Sequence, residues 1–153
     1  GIEENASTKM WRKYFSKAKI YGFEYENIKI IKAKKHKLKN TFYRKIDVDS
    51  QKSIQNDFSK LNKKFEIIIE DITHIFDHQI NIIKNVYSYL KKNGILVIED
   101  IYKYRQEYSE INYYKKLKNL KNIFENIYFV EFYNINNFTA SWRNEKLLIL
   151  IRK

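Results

Sequence analysis

The chain has 153 residues, 44% hydrophobic and 31% charged, with 13 tyrosines, 10 phenylalanines and no cysteine. That length and mix suit a globular domain with one core, and exclude disordered, fibrous and disulfide-stapled classes. With no cysteine and no apolar run near the ~20 residues a membrane span needs, thiolate metal sites, a cysteine nucleophile and a spanning helix are all excluded, and a cytoplasmic location is expected. Thirty lysines and arginines against 18 acids give a formal charge of +12, which favours polyanionic partners. The absence of proline, the scarcity of glycine and the abundance of Lys, Asn, Ile and Tyr also fit an AT-rich coding bias, so the charge alone does not establish nucleic-acid binding.

In chain order, Ser7–Ala18 carries a helical pattern, and Lys19–Phe23 reads as a short buried strand. The basic run Lys32–Lys39 reads as a solvated loop or helix face, with a nucleic-acid patch as the alternative. Thr41–Tyr43 is the next strand and Ser50–Leu61 the next helix. Phe65–Ile69 is a nearly continuous apolar strand. A helix is predicted over Ile75–Lys92, where Ile75, Gln79, Ile82, Ile83, Val86 and Leu90 repeat near the 3.6 period, with Asn93-Gly94 as its left-handed cap. Gly94–Ile98 follows as a strand. Tyr102–Lys121 is rich in Tyr and Lys and is predicted helical in part; Ile127–Tyr133 and Lys146–Ile151 read as an antiparallel hairpin. Strands alternating with helices imply an α/β fold with a mostly parallel, doubly wound sheet, and no composition break marks a second domain within residues 1–153.

Such sheets bind ligands beyond the carboxyl ends of their strands. Four of those ends are acidic: Glu24 after Phe23, Asp47 after Ile46, Glu70-Asp71 after Ile69, and Glu99-Asp100 after Ile98. Stacked carboxylates need a compensating cation. Asp71 and Glu99 stand 28 positions apart, the spacing of one βαβ unit, so Asp71, Glu99 and Asp100 converge if their strands are neighbours, with His74 at the helix entrance. Hard oxygen donors favour Mg2+. Taken singly, Asp71 would serve as a helix cap, Glu99 and Asp100 as loop acids and His74 as a core histidine. His78, one turn beyond His74, reads as packing or a substrate contact.

The segments Phe65–His74 and Leu90–Asp100 together resemble the metal-dependent sugar O-methyltransferases of the macrocin and mycinamicin type, which are class I enzymes using S-adenosylmethionine. Gly1–Trp11, Tyr14-Phe15 and Ala18–Glu24 are similar to that family's first cofactor loop, helix and second strand. The resemblance, which spans about residues 1–101, implies a Rossmann-like class I methyltransferase fold. It implies Asp71, Glu99 and Asp100 as magnesium ligands and His74 as general base. Gly1, Ser7, Glu24, Asp47 and Glu70 are implied around S-adenosylmethionine, Glu24 at the ribose hydroxyls and Asp47 near the adenine. The chain departs from the family pattern at Asn5, where a loop glycine is usual, at Ile46 before Asp47, and at Ile72-Thr73 within the acidic run.

Because Gly1 already stands at the cofactor loop, the fold's first, central strand is expected upstream of it, or else another segment is expected to fill its position. Tyr102, Tyr104 and Trp142 are candidate walls for a sugar. The implied activity is methyl transfer to a sugar hydroxyl of a surface-polysaccharide precursor or glycosylated metabolite; a homo-oligomer is compatible with it. A methyltransferase-like nucleic-acid-binding module and an inactive fragment are the competing readings.

Overall fold

The structure is a computed structural model whose described residues are 1–131 and 146–153. They form two compact units, Gly1–Lys60 and Leu61–Lys153.

In the first unit, α1 (Ala6–Tyr14), β1 (Ile20–Glu24), α2 (Asn27–Lys34), β2 (Thr41–Lys45) and α3 (Gln51–Ser59) follow in order. β1 and β2 pair in parallel from Ile20 opposite Thr41 to Glu24 opposite Lys45, so Glu24 lies at the carboxyl end of its strand and Asp47 just beyond the next. Ile2, Ile30, Ala33 and Tyr43 form one apolar cluster, and Phe23 stacks on Phe58 at 4.9 Å. Ser50 caps α3, its hydroxyl accepting from the Ser53 amide at 3.2 Å. Helix α2 covers part of the basic run: Ala33 faces inward at 1% exposure while Lys32 and Lys34 remain in solvent. α1 and α3 end earlier than their sequence patterns suggested, at Tyr14 and Ser59.

The second unit holds β3 (Phe65–Glu70), α4 (Phe76–Val86), β4 (Leu90–Ile98), α5 (Glu110–Lys116), β5 (Phe124–Glu131) and β6 (Lys146–Arg152) in a sheet ordered β3-β4-β6-β5. β3 and β4 are parallel neighbours, as the carboxylate argument required. β6 runs antiparallel to both β4 and β5, which confirms the terminal hairpin. Helix α4 buries Phe76, Gln79, Ile80, Ile82, Ile83 and Val86.

The predicted helix through Lys92 is corrected here. It stops at Val86, passes through a single 3-10 turn at Tyr87–Tyr89, and gives Leu90–Lys92 to β4. The pairing slips between Phe65–Leu90 and Ile67–Ile95, so Asn93, at φ 60°, sits in a bulge of that strand rather than at a helix end. Gly94 fits there because a Cβ would stand 2.8 Å from the Lys91 carbonyl oxygen and 3.0 Å from that of Phe65. Among the described residues, β1 pairs only with β2, and β3, at the sheet edge away from the hairpin, pairs only with β4. No helix of the described residues is long and apolar enough to cross a membrane.

Candidate active site

The turn after β3 and the turn after β4 bring Asp71, His74 and Asp100 together, with one donor atom from each within 4.8 Å of the others. His74 lies between the two acids: its Nδ1 is 3.4 Å from Asp100 Oδ2 and its Nε2 3.9 Å from Asp71 Oδ1. All three side chains are about one-third exposed, at 28%, 38% and 33% for His74, Asp71 and Asp100, so the cluster opens to solvent. His74 Nδ1 itself is buried with no hydrogen bond. A buried imidazole nitrogen facing a carboxylate, in an oxygen-rich donor set, is the surrounding a divalent cation or a transferred proton would complete.

Glu99 is not one of that trio, although its backbone is firmly placed. Its amide donates to the Glu70 carbonyl at 2.9 Å, and its own carbonyl accepts from Gln79 Nε2 at 3.1 Å. Burial, followed by the negative charges of Asp71 and Asp100, pushes its carboxyl up to about 7. Burial likewise raises Asp100, against the pull of His74. Glu70 is 1% exposed, and burial with the charges of Asp71 and Glu99 lifts it to about 7; its Oε2 has no hydrogen-bond partner. Glu70, Glu99 and Asp100, crowded at one sheet edge, therefore resist full ionisation.

Residues that sequence reasoning did not assign hold this edge in place. The Tyr108 hydroxyl donates to the His74 carbonyl at 2.7 Å and accepts from the Phe76 amide at 3.2 Å, so one phenol both fixes the His74 turn and caps α4, whose N-cap residue Ile75 offers no side-chain cap. The Tyr113 hydroxyl donates to Gln79 Oε1, and Gln79 passes the restraint to Glu99. The only sequence signal for either tyrosine is the tyrosine-rich stretch after β4. His78 Nδ1 lies 2.9 Å from the Thr73 hydroxyl, within the same turn. Tyr102 packs edge-on against Tyr108 and beneath the Arg105 guanidinium, 4.2 Å from its ring centre, whereas Tyr104 is 73% exposed. Trp142 lies outside the described residues.

The first unit carries the other expected residues. Glu24, 6% exposed, is a loop organiser: Oε2 accepts from the amides of Ile2 at 2.9 Å and Glu3 at 3.3 Å, and Oε1 from those of Tyr25 at 2.8 Å and Glu26 at 3.3 Å. Burial opposes its ionisation, but the four amides outweigh burial and hold it below the usual carboxylate range. Asn5 stands at φ 68°, supplying the left-handed conformation that a glycine would, and its amide nitrogen donates to the Tyr43 hydroxyl at 2.8 Å. Asp47 closes its own turn, Oδ1 accepting from the Asp49 amide at 3.1 Å. Gly1 and Ser7 are exposed, Ser7 in the first turn of α1.

A family model described as a methyltransferase domain matches residues 5–145. The chain belongs to that family. Its fold is the Rossmann-like class I methyltransferase fold, which binds S-adenosylmethionine. A 3'-O-methyltransferase of Streptomyces olivaceus, acting on 8-demethyl-8-(2-methoxy-alpha-L-rhamnosyl)-tetracenomycin-C, is 27% identical over 106 residues, 65% of this chain and 24% of that protein. The methyltransferase MycE of mycinamycin biosynthesis, solved with Mg and S-adenosylhomocysteine, superimposes with a TM-score of 0.69 at 15% identity over 99% of this chain and 42% of its own. A fibrillarin/Nop5p complex matches with a TM-score of 0.71 at 18% identity over 100% of this chain and 70% of its own. The chain thus spans about a quarter of the first relative and less than half of MycE.

Proposed function

We propose that this methyltransferase domain transfers a methyl group from S-adenosylmethionine to a sugar hydroxyl, with a divalent cation held at Asp71 and Asp100 and with His74 as general base. The observation that carries the proposal is the convergence of Asp71, His74 and Asp100 at the ends of two parallel strands. The sugar class is supported by the Streptomyces relative, itself a sugar O-methyltransferase by name, and extends to a polysaccharide precursor or a glycosylated metabolite.

The donor set fits a hard cation. Mg2+ prefers oxygen and keeps water or substrate in several positions, which assigns the cation to Asp71 and Asp100, adds the charge of Glu99 behind them, and leaves the imidazole for proton transfer. When bound, Mg2+ would supply the charge that acidifies a sugar hydroxyl, and the sulfonium cofactor would supply the methyl group. His74 takes the hydroxyl proton as the oxygen–methyl bond forms and the sulfur–methyl bond breaks, so atoms and charge balance. Glu24 remains able to hold a ribose diol: each oxygen has one short and one 3.3 Å amide bond, and a hydroxyl can displace the long, weak one. Asp47 would stand near the adenine, Gly1 and Ser7 along the cofactor loop, and Glu70 beneath the methionine part. Tyr102, Tyr104, His78 and Trp142 are the proposed acceptor contacts.

The test is calorimetric titration of S-adenosylmethionine into the protein with and without Mg2+, followed by methyl transfer to glycosylated acceptors. Micromolar cofactor binding, with turnover that requires Mg2+ and disappears in Asp71→Asn, is the expected result. Cofactor binding with metal-independent turnover would remove the cation site, and absence of cofactor binding would remove the catalytic reading.

A further inference from the structure

The first unit carries a groove along the outer edge of β2. It has a volume of about 350 Å3 and is lined by Lys34, Lys37, Leu38, Thr41, Phe42, Tyr43 and Arg44. Three of the seven lining residues are cations and none is acidic. The surrounding chain has the same bias: from Asn27 to Ile46 there are seven lysines, an arginine and a histidine, and no carboxylate.

The backbone that carries Lys34 and Lys37 is an ordered turn. The turn that ends α2 is closed by the amides of His36 and Lys37 donating to the carbonyls of Ala33 and Lys34, both at 3.1 Å. Lys37 and Asn40 adopt left-handed φ of 48° and 53°. His36 is tied by Nδ1, 3.2 Å from the side-chain nitrogen of Asn5. Beside the cations, Phe42 is 45% exposed although its ring already stacks on Tyr21, with centroids 5.1 Å apart and planes 23° from parallel. A half-exposed aromatic ring sharing one groove with three cations accepts a flat base on the ring and phosphate at the ammonium and guanidinium groups. A concave edge of this volume suits a nucleotide-sized group, whereas a lipid surface calls for a protruding apolar face.

From this arrangement we infer that the β2 groove binds a nucleoside phosphate, its base against Phe42 and its phosphates at Lys34, Lys37 and Arg44. The same chemistry is presented by a free nucleotide and by a single-stranded nucleic acid. The site is separate in its residues from the proposed cofactor and cation positions and stands or falls independently of them.

The experiment measures binding of a fluorescein-labelled ten-residue oligouridine and, by competition, of uridine diphosphate to the full chain, without S-adenosylmethionine or Mg2+, between 20 and 300 mM salt. With about three phosphates neutralised, log K should fall with log salt at a slope near −2, and K37Q/R44Q should reduce that slope by about 1.4. F42A should weaken binding about tenfold while leaving the slope unchanged. K118Q/K121Q, which removes two exposed cations from the second unit, should leave affinity within twofold. Circular dichroism melts confirm that each variant is folded. Competition by uridine diphosphate in proportion to one oligomer site indicates a free nucleotide, and a hundredfold preference for the oligomer indicates a strand; both uphold the groove. Equal losses in the two double variants, an F42A affinity equal to wild type, binding to anionic vesicles through the same residues, or no binding of either probe at 20 mM salt would overturn it.

Discussion

Tyr108→Phe tests the structure of the acidic edge directly. The substitution keeps the ring, which packs edge-on against Phe76 at 5.8 Å and Tyr102 at 5.1 Å, and removes only the hydroxyl. Two hydrogen bonds disappear: the 2.7 Å donation to the His74 carbonyl and the 3.2 Å acceptance from the Phe76 amide. Phe76 is 4% exposed, so its amide has little access to water and is left nearly unsatisfied. Stranded buried polar groups cost about 1–3 kcal/mol each, and water should recover part of this at the more open His74 carbonyl, giving a loss of about 2–4 kcal/mol. For a chain of this size that lowers the melting temperature by roughly 10 °C. Urea denaturation of the metal-free protein measures the stability loss. Methyl-transfer assays should show kcat reduced at least tenfold, since His74 is no longer held in its turn, with cofactor affinity unchanged. Tyr113→Phe is the comparison: it removes one bond and strands Gln79 Oε1, which is fully buried, so it should cost about 1–3 kcal/mol. A Tyr108→Phe protein within 0.5 kcal/mol of wild type would refute the claim that this phenol fixes the turn.

Asp100→Asn should abolish Mg2+ binding by calorimetry and reduce Mg2+-dependent turnover at least a hundredfold with the fold retained, whereas Glu99→Gln, outside the close trio, should weaken Mg2+ binding without eliminating it. Gly94→Ala should destabilise by about 2–3 kcal/mol in urea melts, because the new methyl meets backbone oxygens at 2.8 and 3.0 Å that cannot swing aside. Glu70 has its folded-state value raised from 4.5 to about 7, so the folded protein binds the extra proton between those limits; metal-free stability should therefore rise as pH falls from 8 to 5, by at most on the order of 3 kcal/mol from this group. Glu70→Gln should flatten that dependence, and Mg2+ should reverse its direction if the cation replaces the protons.

The alternation of apolar strands with helices was legible because β3 is nearly all apolar and because the acids fall just after strand ends; the parallel pairing of β3 and β4 then follows from one connecting helix. The boundary at Val86 was not legible. Leu90 continues the helical period of α4, so periodicity cannot distinguish a last turn from the first residue of β4, which is fixed only by pairing with Phe65. Tyr108 was hidden for a similar reason: it lies 34 positions from His74, and nothing in a tyrosine-rich stretch marks which phenol will reach back. α2 was obscured because its polar face merges with the lysine run, leaving Ile30 and Ala33 as its buried residues.

The composition also explains how strain is distributed. Among the described residues, eight non-glycine residues have positive φ, and four of them, Asn5, Asn40, Asn62 and Asn93, are asparagines, which tolerate that conformation best after glycine. A chain with three glycines, none at positive φ, has evidently filled its left-handed turns with asparagine. His74 and Asp100, at φ 56° and 52°, are different: each lies in the cluster, and neither has been replaced by the residue that would relieve its backbone. Left-handed conformations of this kind cost about 1–3 kcal/mol and persist where neighbouring structure enforces them. That enforcement is visible on both sides, from Tyr108 on the His74 carbonyl and from the Ile101 amide, next after Asp100, donating to the Lys146 carbonyl at 3.1 Å. Relieving either turn with glycine should therefore gain up to about 1–3 kcal/mol in the metal-free protein, while removing the side chain proposed to act in the cluster.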